Sequence, residues 1–233
     1  MKLDGQRVLV TGATGGLGPS LVEAFLAVGA RVLAAARRRT GLDALRAAMR
    51  HHQRLDVAEC DASDPAGVEA LFDALERKGG TDGVVHAAGA FRYGRLAELS
   101  DDDVRTLFQT NALAAAWVVR AAVRRMVPRG RGSVTVIAAD RALEPAPGVG
   151  AYGATKAAAA HLVQATALEL HGTGVRVNAI LPGTLDTPEN RAAMPAADPA
   201  GWASPRAVAR AAVWLAGTDA EGVSGALVRI PGK

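Results

Sequence analysis

The sequence predicts an α/β protein built on an open, doubly wound parallel sheet of about seven strands, with helices on both faces. Three observations carry that expectation. Apolar runs and helical periods alternate from end to end of the 233 residues. The chain is 49% hydrophobic but only 4% aromatic, so Ala, Val and Leu must build the core, as buried parallel strands and close-packed helices require. A glycine-rich turn, "TGATGGLG" from Thr11 to Gly18, comes after the first apolar run and opens the first helix.

The elements run in order. Arg7 to Gly12 reads as a strand and Pro19 to Val28 as a helix. Arg31 to Ala36 is the next strand and Leu42 to Arg50 the next helix. "RLDVAECD" leads into a helix from Pro65 to Arg77, whose Val68, Leu71, Phe72 and Leu75 fit a 3.6-residue period. "GVVHAAG" is the fourth strand. Val104 to Val127 carries one or two helices stopped by "PRGRG", and "SVTVIAA" is the fifth strand. Tyr152 to Leu170 is a long helix ended by "HGTG", "VRVNAILPG" a sixth strand and "GALVRI" a seventh. Residues 183–204 form the one long irregular stretch, a candidate substrate loop or lid within a single domain spanning 1–233.

Composition narrows the function classes. The net charge is +4 and the pI about 9.7, yet the basic residues are scattered among 23 acids with no basic arm or aromatic platform, so no nucleic-acid partner is expected. No apolar run reaches the ~20 residues of a membrane span, and the first residues do not resemble a secretory leader. Cys60 is alone, which excludes an internal disulfide and suits a reducing, cytoplasmic setting. The five histidines show no ligand spacing, so no metal is expected; His51, His52, His161 and His171 carry no catalytic signal, and His86 reads as structural.

The glycine turn is the first chemical signal. Gly12, Gly16 and Gly18 let backbone amides approach a pyrophosphate at the positive end of the first helix, with Thr14 and Leu17 in the same turn. An acid at the end of the second strand would hold an adenosine 2′-hydroxyl. This chain has Ala36 and then Arg37, Arg38 and Arg39, which suits a 2′-phosphate and hence NADP(H) over NAD(H), with Arg37 and then Arg38 as the contacts. The second signal is Tyr152 and Lys156, four residues apart and so on one helix face, an arrangement in which an ammonium lowers the phenol's pKa toward neutrality.

The T-G-x-x-x-G-x-G spacing, with Tyr152, Lys156, Asn111 and the "PG" at Pro182–Gly183, resembles the short-chain dehydrogenase/reductase family, whose fold is of the Rossmann type. The resemblance implies that Asp61 and neighbouring Ala62 meet the adenine and that Ala88 and Gly89 of "HAAG" line the cofactor. It implies that Lys156 also holds the nicotinamide ribose, that Asn111 steadies a relay water, and that Leu185 and Thr187 meet the carboxamide. By analogy, a homodimer or homotetramer is expected.

One residue breaks the pattern. Counting back from Tyr152, the family's serine falls on Ala139, beside Ala138; Ser133 is too early and Thr135 lies mid-strand. Losing one preorganised donor costs ~10²–10³-fold in rate at an oxyanion site. "LPGTLDTPENRAAMPAADPAGW" and "ALEPAPGVGAYGATKAA" resemble the quinonoid dihydropteridine reductases, which also carry alanine there and reduce a conjugated imine system. Departures are the arginines after Ala36, the presence of Asn111, and Phe91 where those enzymes place a tryptophan. Phe91, Ala139, Asp140, Met194 and Trp202 are the candidate substrate contacts. Two alternatives stay open: a ketoreductase of a specialised metabolite in which a water or Asp140 replaces the serine, and an NADP-binding sensor or scaffold without turnover. The substrate in either enzyme reading is a small molecule.

Overall fold

The computed structural model describes residues 2–49 and 51–232, apart from the side chain of His52. Seven strands, β1 (Arg7–Thr11), β2 (Arg31–Ala36), β3 (Leu55–Glu59), β4 (Gly83–His86), β5 (Gly132–Ile137), β6 (Val175–Pro182) and β7 (Leu227–Ile230), form one sheet. Its order is β3-β2-β1-β4-β5-β6-β7, and every pairing is parallel.

The alternation of side chains along each strand divides the core in two. Leu9, Val84, Val136 and Leu181 face one way, onto α3 (Pro65–Glu76), α5 (Ala114–Met126) and α6 (Gly150–Glu169), where Phe72, Val118, Met126 and Val163 are buried. Val8, Val10, Val85 and Ile180 face the other, onto α1 (Gly18–Ala27), α2 (Arg39–Ala48) and α8 (Pro205–Ala216), where Leu21, Phe25, Leu42 and Leu215 are buried. Phe25 and Phe72 are among the largest fully buried side chains, each contributing about 1.5–3 kcal/mol of hydrophobic stabilisation.

Strand order reverses direction between β1 and β4, so the loops after these strands diverge and open a crevice at their carboxyl ends. Gly12 sits at that seam with φ +70°. A Cβ there would stand 2.4 Å from the backbone nitrogen of Ala88, so only glycine lets the two loops pass.

The expected elements are present, with differences in their bounds and one addition. Helix α2 starts at Arg39 and ends at Ala48, while Arg50 lies outside the described residues. The stretch expected to hold one or two helices is α4 (Asp101–Leu107), a π-helical turn (Phe108–Leu113) and α5. α4 starts before the expected Val104 because Ser100 and Asp103 form a capping box. Helix α8 is absent from the expected elements, although Ser204, Pro205 and the spacing of Val208, Ala212 and Leu215 mark it; its buried face packs on α1.

Residues 183–204 are locally ordered rather than irregular. They contain α7 (Pro188–Ala193), capped by Thr187 Oγ1, which accepts from Asn190 N at 3.2 Å. Arg191 donates to both carboxylate oxygens of Asp186, at 2.6 and 3.0 Å, and Leu185 pairs with Ala203 in a parallel bridge. No helix among the described residues is long and apolar enough to cross a membrane.

Candidate active site

A cleft of about 640 Å³ opens at the carboxyl ends of β1, β4, β5 and β6. Its floor on one side is the glycine turn. Helix α1 begins without a side-chain cap, because Leu17 stands at the N-cap position. Among the described residues the backbone amides of Gly16 and Leu17 have no partner within the chain. An uncapped N-terminus with free amides beside glycines is what a dinucleotide's phosphates require. Gly18 packs α1 against the turn, since a Cβ there would meet Ala13 O at 2.2 Å.

At the end of β2, Ala36 is buried while Arg37 and Arg38 are exposed and form no ion pair among the described residues. Arg39 is engaged elsewhere: its amide donates to Glu59 Oε1 at 2.9 Å and its guanidinium pairs with Asp43. Asp61 accepts from the amide and hydroxyl of Ser63, at 2.9 and 2.6 Å. Burial opposes its ionisation, but those bonds and the charge of Arg37 outweigh it and hold its pKa below the usual value. The residues therefore fit a nicotinamide dinucleotide, and the end of β2 carries an exposed cationic edge.

The reacting end is built by α6, the end of β5 and the loop after β4. Tyr152 and Lys156 share one face of α6, with Lys156 Nζ 5.9 Å from the phenol ring centroid. Nζ donates to Ile137 O at 3.1 Å and is otherwise buried. Asn111, in the π-helical turn, clamps Ala90: its Oδ1 accepts from Ala90 N at 2.8 Å and its Nδ2 donates to Ala90 O at 2.9 Å and to Thr155 Oγ1 at 3.0 Å. Thr155 Oγ1 in turn donates to Tyr152 O at 2.7 Å. A Cβ on Gly89 would fall 2.8 Å from Asn111 Oδ1 and 3.2 Å from Lys156 Nζ, so glycine leaves the space in which these groups meet.

The electrostatics differ from the sequence expectation. Burial, reinforced by the negative charge of Asp140, pushes the Tyr152 phenol up to about 12, and Lys156 is not among the causes. Burial pulls Lys156 down to about 8. Both groups are thus biased toward their neutral forms in the protein alone. His86 is also buried, with Nδ1 2.8 Å from Thr11 Oγ1 and Nε2 without a partner among the described residues. Burial and the nearby Lys156 push it down to about 3, so it is a neutral imidazole.

The other wall is formed by the end of β5 and the loop after β4. Ala138 and Ala139 line the cleft and offer no side-chain donor. Ser133 is spent on Leu215 O at 2.9 Å on the opposite side of β5. Asp140 and Arg141 come next at the rim, 3.5 Å apart, and Phe91 stands edge-on to Tyr152 with ring centroids 5.0 Å apart.

Of the residues singled out from sequence, Gly12, Gly16, Leu17, Gly89, Phe91, Ala139, Asp140, Tyr152, Lys156, Pro182, Gly183, Leu185, Thr187 and Met194 line this one cleft. Thr14, Gly18, Arg37, Arg38, Asp61, Ala62, Ala88, Asn111 and Trp202 lie outside its lining. Several lining residues are not among the sequence candidates. Arg141 adjoins Asp140, Tyr93 lies two residues after Phe91, and Glu189, on α7, lies over the glycine turn with Oε2 3.0 Å from where a Gly16 Cβ would stand. Thr155, between Tyr152 and Lys156 in sequence, lies behind the lining and is also absent from the sequence candidates; its hydroxyl reaches both the π-helical turn and its own helix backbone.

Comparison with known proteins agrees with this geometry. The family described as short chain dehydrogenase matches residues 6–197. The 2,3-dihydro-2,3-dihydroxybenzoate dehydrogenase of Escherichia coli (strain K12) is 34% identical over 193 residues, covering 82% of this chain and 74% of its own. A cyclic-di-GMP-binding biofilm dispersal mediator protein from the same strain is 32% identical over 239 residues, covering 98% and 96%. Among solved structures, a short-chain type dehydrogenase/reductase from Mycobacterium ulcerans superposes with a TM-score of 0.92 at 27% identity, covering 100% and 90%. A variant actinorhodin polyketide ketoreductase with NADPH gives 0.90 at 28%, covering 100% and 98%. The chain belongs to the short-chain dehydrogenase family and is an NAD(P)-dependent oxidoreductase.

Proposed function

We propose that the chain is an NADPH-preferring reductase, similar to the dihydropteridine reductases, that acts on a conjugated small molecule. The observation that carries this reading is the wall beside Tyr152: Ala138 and Ala139, the latter only 5% exposed, line the cleft without a side-chain donor for a ketone's developing oxyanion. A conjugated acceptor that takes hydride into its ring develops no such alkoxide. The bound cofactor supplies a hydride. Tyr152 holds the proton to be delivered, and its raised pKa keeps that proton in place at neutral pH. Lys156 and Asn111 organise the ribose and the relay. The free amides of Gly16 and Leu17 hold phosphate, and exposed Arg37 and Arg38 beside Ala36 favour the 2′-phosphate.

Residues 1–233 act as one unit in this reading, with 183–204 as the substrate loop. The outward faces of α5 and α6, with Leu168 80% exposed, serve a homodimer or homotetramer, and the setting is cytoplasmic.

The test is NADPH oxidation with a chemically generated quinonoid dihydropterin, beside ketones and quinones, with NADH and Tyr152→Phe as controls. Dihydropterin turnover above the non-enzymatic rate supports the reading. Turnover of ketones alone would favour a ketoreductase, the activity named for the polyketide relative. Nucleotide binding with no acceptor reduced would favour a sensor.

A further inference from the structure

Asp140 occupies an unusual place. It comes directly after Ala139, at the start of a short 3-10 turn (Asp140–Ala142) that leaves the end of β5 and faces the cleft. Its side chain is only 14% exposed. A carboxylate so far removed from water normally accepts hydrogen bonds from the fold, at a helix cap or from a paired guanidinium. Asp140 accepts none among the described residues. The cap position of its own turn belongs to Ala139, without a side-chain bond. The one cation beside it, Arg141, approaches through Nε at 3.5 Å while its Nη1 turns to Glu144 O. Glu144 itself is paired with Arg229.

The stretch of wall beside Tyr152 is therefore poor in donors. Two alanines supply no donor, and the next side chain carries negative charge, felt at Tyr152 as a force that keeps the phenol protonated. A ketone turned so that its oxygen becomes an alkoxide here would gather two like charges in one cleft. A nitrogen that donates a hydrogen bond would instead complete the carboxylate's coordination. The rim adds a shape requirement. Phe91 and Tyr93 are 63% and 70% exposed beside the cleft, and Phe91 already meets Tyr152 edge-on at 5.0 Å. Exposed aromatics at a cleft mouth are faces on which a flat ring stacks.

We propose that Asp140 is a substrate-binding residue whose carboxylate accepts hydrogen bonds from the N–H edge of a planar nitrogen heterocycle, of cyclic amidine or guanidine type, stacked against Phe91 and Tyr93. The inference rests on the reading of the cleft as a hydride-transfer site and names its substrate class. Neither carboxylate oxygen accepts a hydrogen bond among the described residues, and Oδ1 has only the 3.5 Å approach of Arg141 Nε, so two parallel N–H···O bonds can form, a geometry that fixes the ring's orientation as well as its affinity. The reaction adds two hydrogens across one conjugated C=N bond. The ring takes a hydride, with its electron pair, from the reduced nicotinamide and a proton from Tyr152 Oη, and solvent reprotonates the phenolate. Asp140 transfers nothing in this step; it positions the ring.

The experiment is calorimetric binding to the full-length protein saturated with NADP⁺, so that no turnover is needed. Two flat probes are compared: oxidised pterin, which carries the N–H edge, and 1,4-naphthoquinone, which has none. The expected result is that pterin binds the wild type and that Asp140→Asn lowers the pterin-to-naphthoquinone affinity ratio about 10-fold or more. Cofactor binding, read by tryptophan fluorescence, verifies that the variant is folded, and Asp140→Glu is expected to restore part of the ratio. Failure of pterin to bind the wild type, or an unchanged ratio in Asp140→Asn, overturns the proposal. So does loss of binding for anionic ring compounds in Arg141→Gln with no effect of Asp140→Asn, which would assign the rim to Arg141. NADPH oxidation with either probe class decides the reductase reading separately: a protein that binds pterin through Asp140 but reduces nothing would refute that reading and leave the site intact.

Discussion

Gly12→Ala tests whether the crossing of two loops is what makes the cofactor cleft. Gly12 has φ +70°, a conformation that costs an L-residue about 1–2 kcal/mol. The new methyl would stand 2.4 Å from Ala88 N and 2.6 Å from both Ala87 C and Ala88 Cα. These are backbone atoms just after β4, where the Ala87 amide donates to Thr11 O at 3.1 Å, and they cannot swing aside as a side chain would. Overpacking of this kind costs about 1–3 kcal/mol. The sum is about 2–5 kcal/mol, and at roughly 2–4 °C per kcal/mol for a chain of this size the midpoint should fall by about 4–20 °C. Thermal unfolding tracked by circular dichroism at pH 7.5 reads this directly. Gly15→Ala is the matched control, since its Cβ would meet only Gly12 O at 3.4 Å and no positive φ is involved. A Gly12→Ala midpoint within about 2 °C of wild type, less than 1 kcal/mol on the same scale, or an equal fall in Gly15→Ala, would show that the two loops are not locked at this seam.

Four further outcomes are expected. Tyr152→Phe removes the proton donor and should lower kcat by about 10²-fold or more with NADPH affinity nearly intact; retained turnover would move the proton source elsewhere. Lys156→Met should stabilise the protein at pH 7. Burial lowers the lysine from 10.5 to about 8, so below pH 8 the fold holds a charge at a cost on the order of 3 kcal/mol. Between pH 8 and 10.5 the unfolded chain binds the extra proton, so wild-type stability rises with pH and the gap to the variant closes; a gap constant from about pH 7 to 9.5 would contradict the shift. Ala139→Ser should raise kcat/KM for ketones about tenfold or more while leaving conjugated acceptors little changed, and equal effects on both would remove the significance of the missing hydroxyl. Glu189→Gln takes a carboxylate from above the glycine turn and should tighten NADPH binding about 2–5-fold at low salt, an effect that fluorescence titration at two ionic strengths can confirm or deny.

The strands were legible because a parallel sheet covered on both faces demands unbroken apolar runs, and "RVLV", "RVLAAA" and "SVTVI" have no other use. Tyr152, Lys156 and the glycine turn were legible for a different reason: their chemistry depends on spacing along one element, which sequence records. The features that escaped depend on distances between elements. The upward shift of Tyr152 comes from burial and from Asp140, a residue on a different element with no helical spacing to the phenol. Glu189 reaches Gly16 only because Thr187 caps α7 and turns it over the cleft. The π-helical turn was hidden because the apolar period on either side of it is an ordinary 3.6.

That turn has a consequence for how the chain tolerates insertion and deletion. A π-helical turn holds one residue more than an α-helix needs, and each helical residue rotates its successor by about 100°. Deleting one residue between Phe108 and Leu113 would let α4 run straight into α5 as a single α-helix. Because the wide turn already absorbs that residue, Val118, Ala122 and Met126 would keep their phase against the sheet, and the loss would fall on the turn itself, moving Asn111 away from Ala90. The extra residue thus serves the cleft rather than the packing of the helices, so a chain shortened here should keep its fold and lose the contact of Asn111 with Ala90.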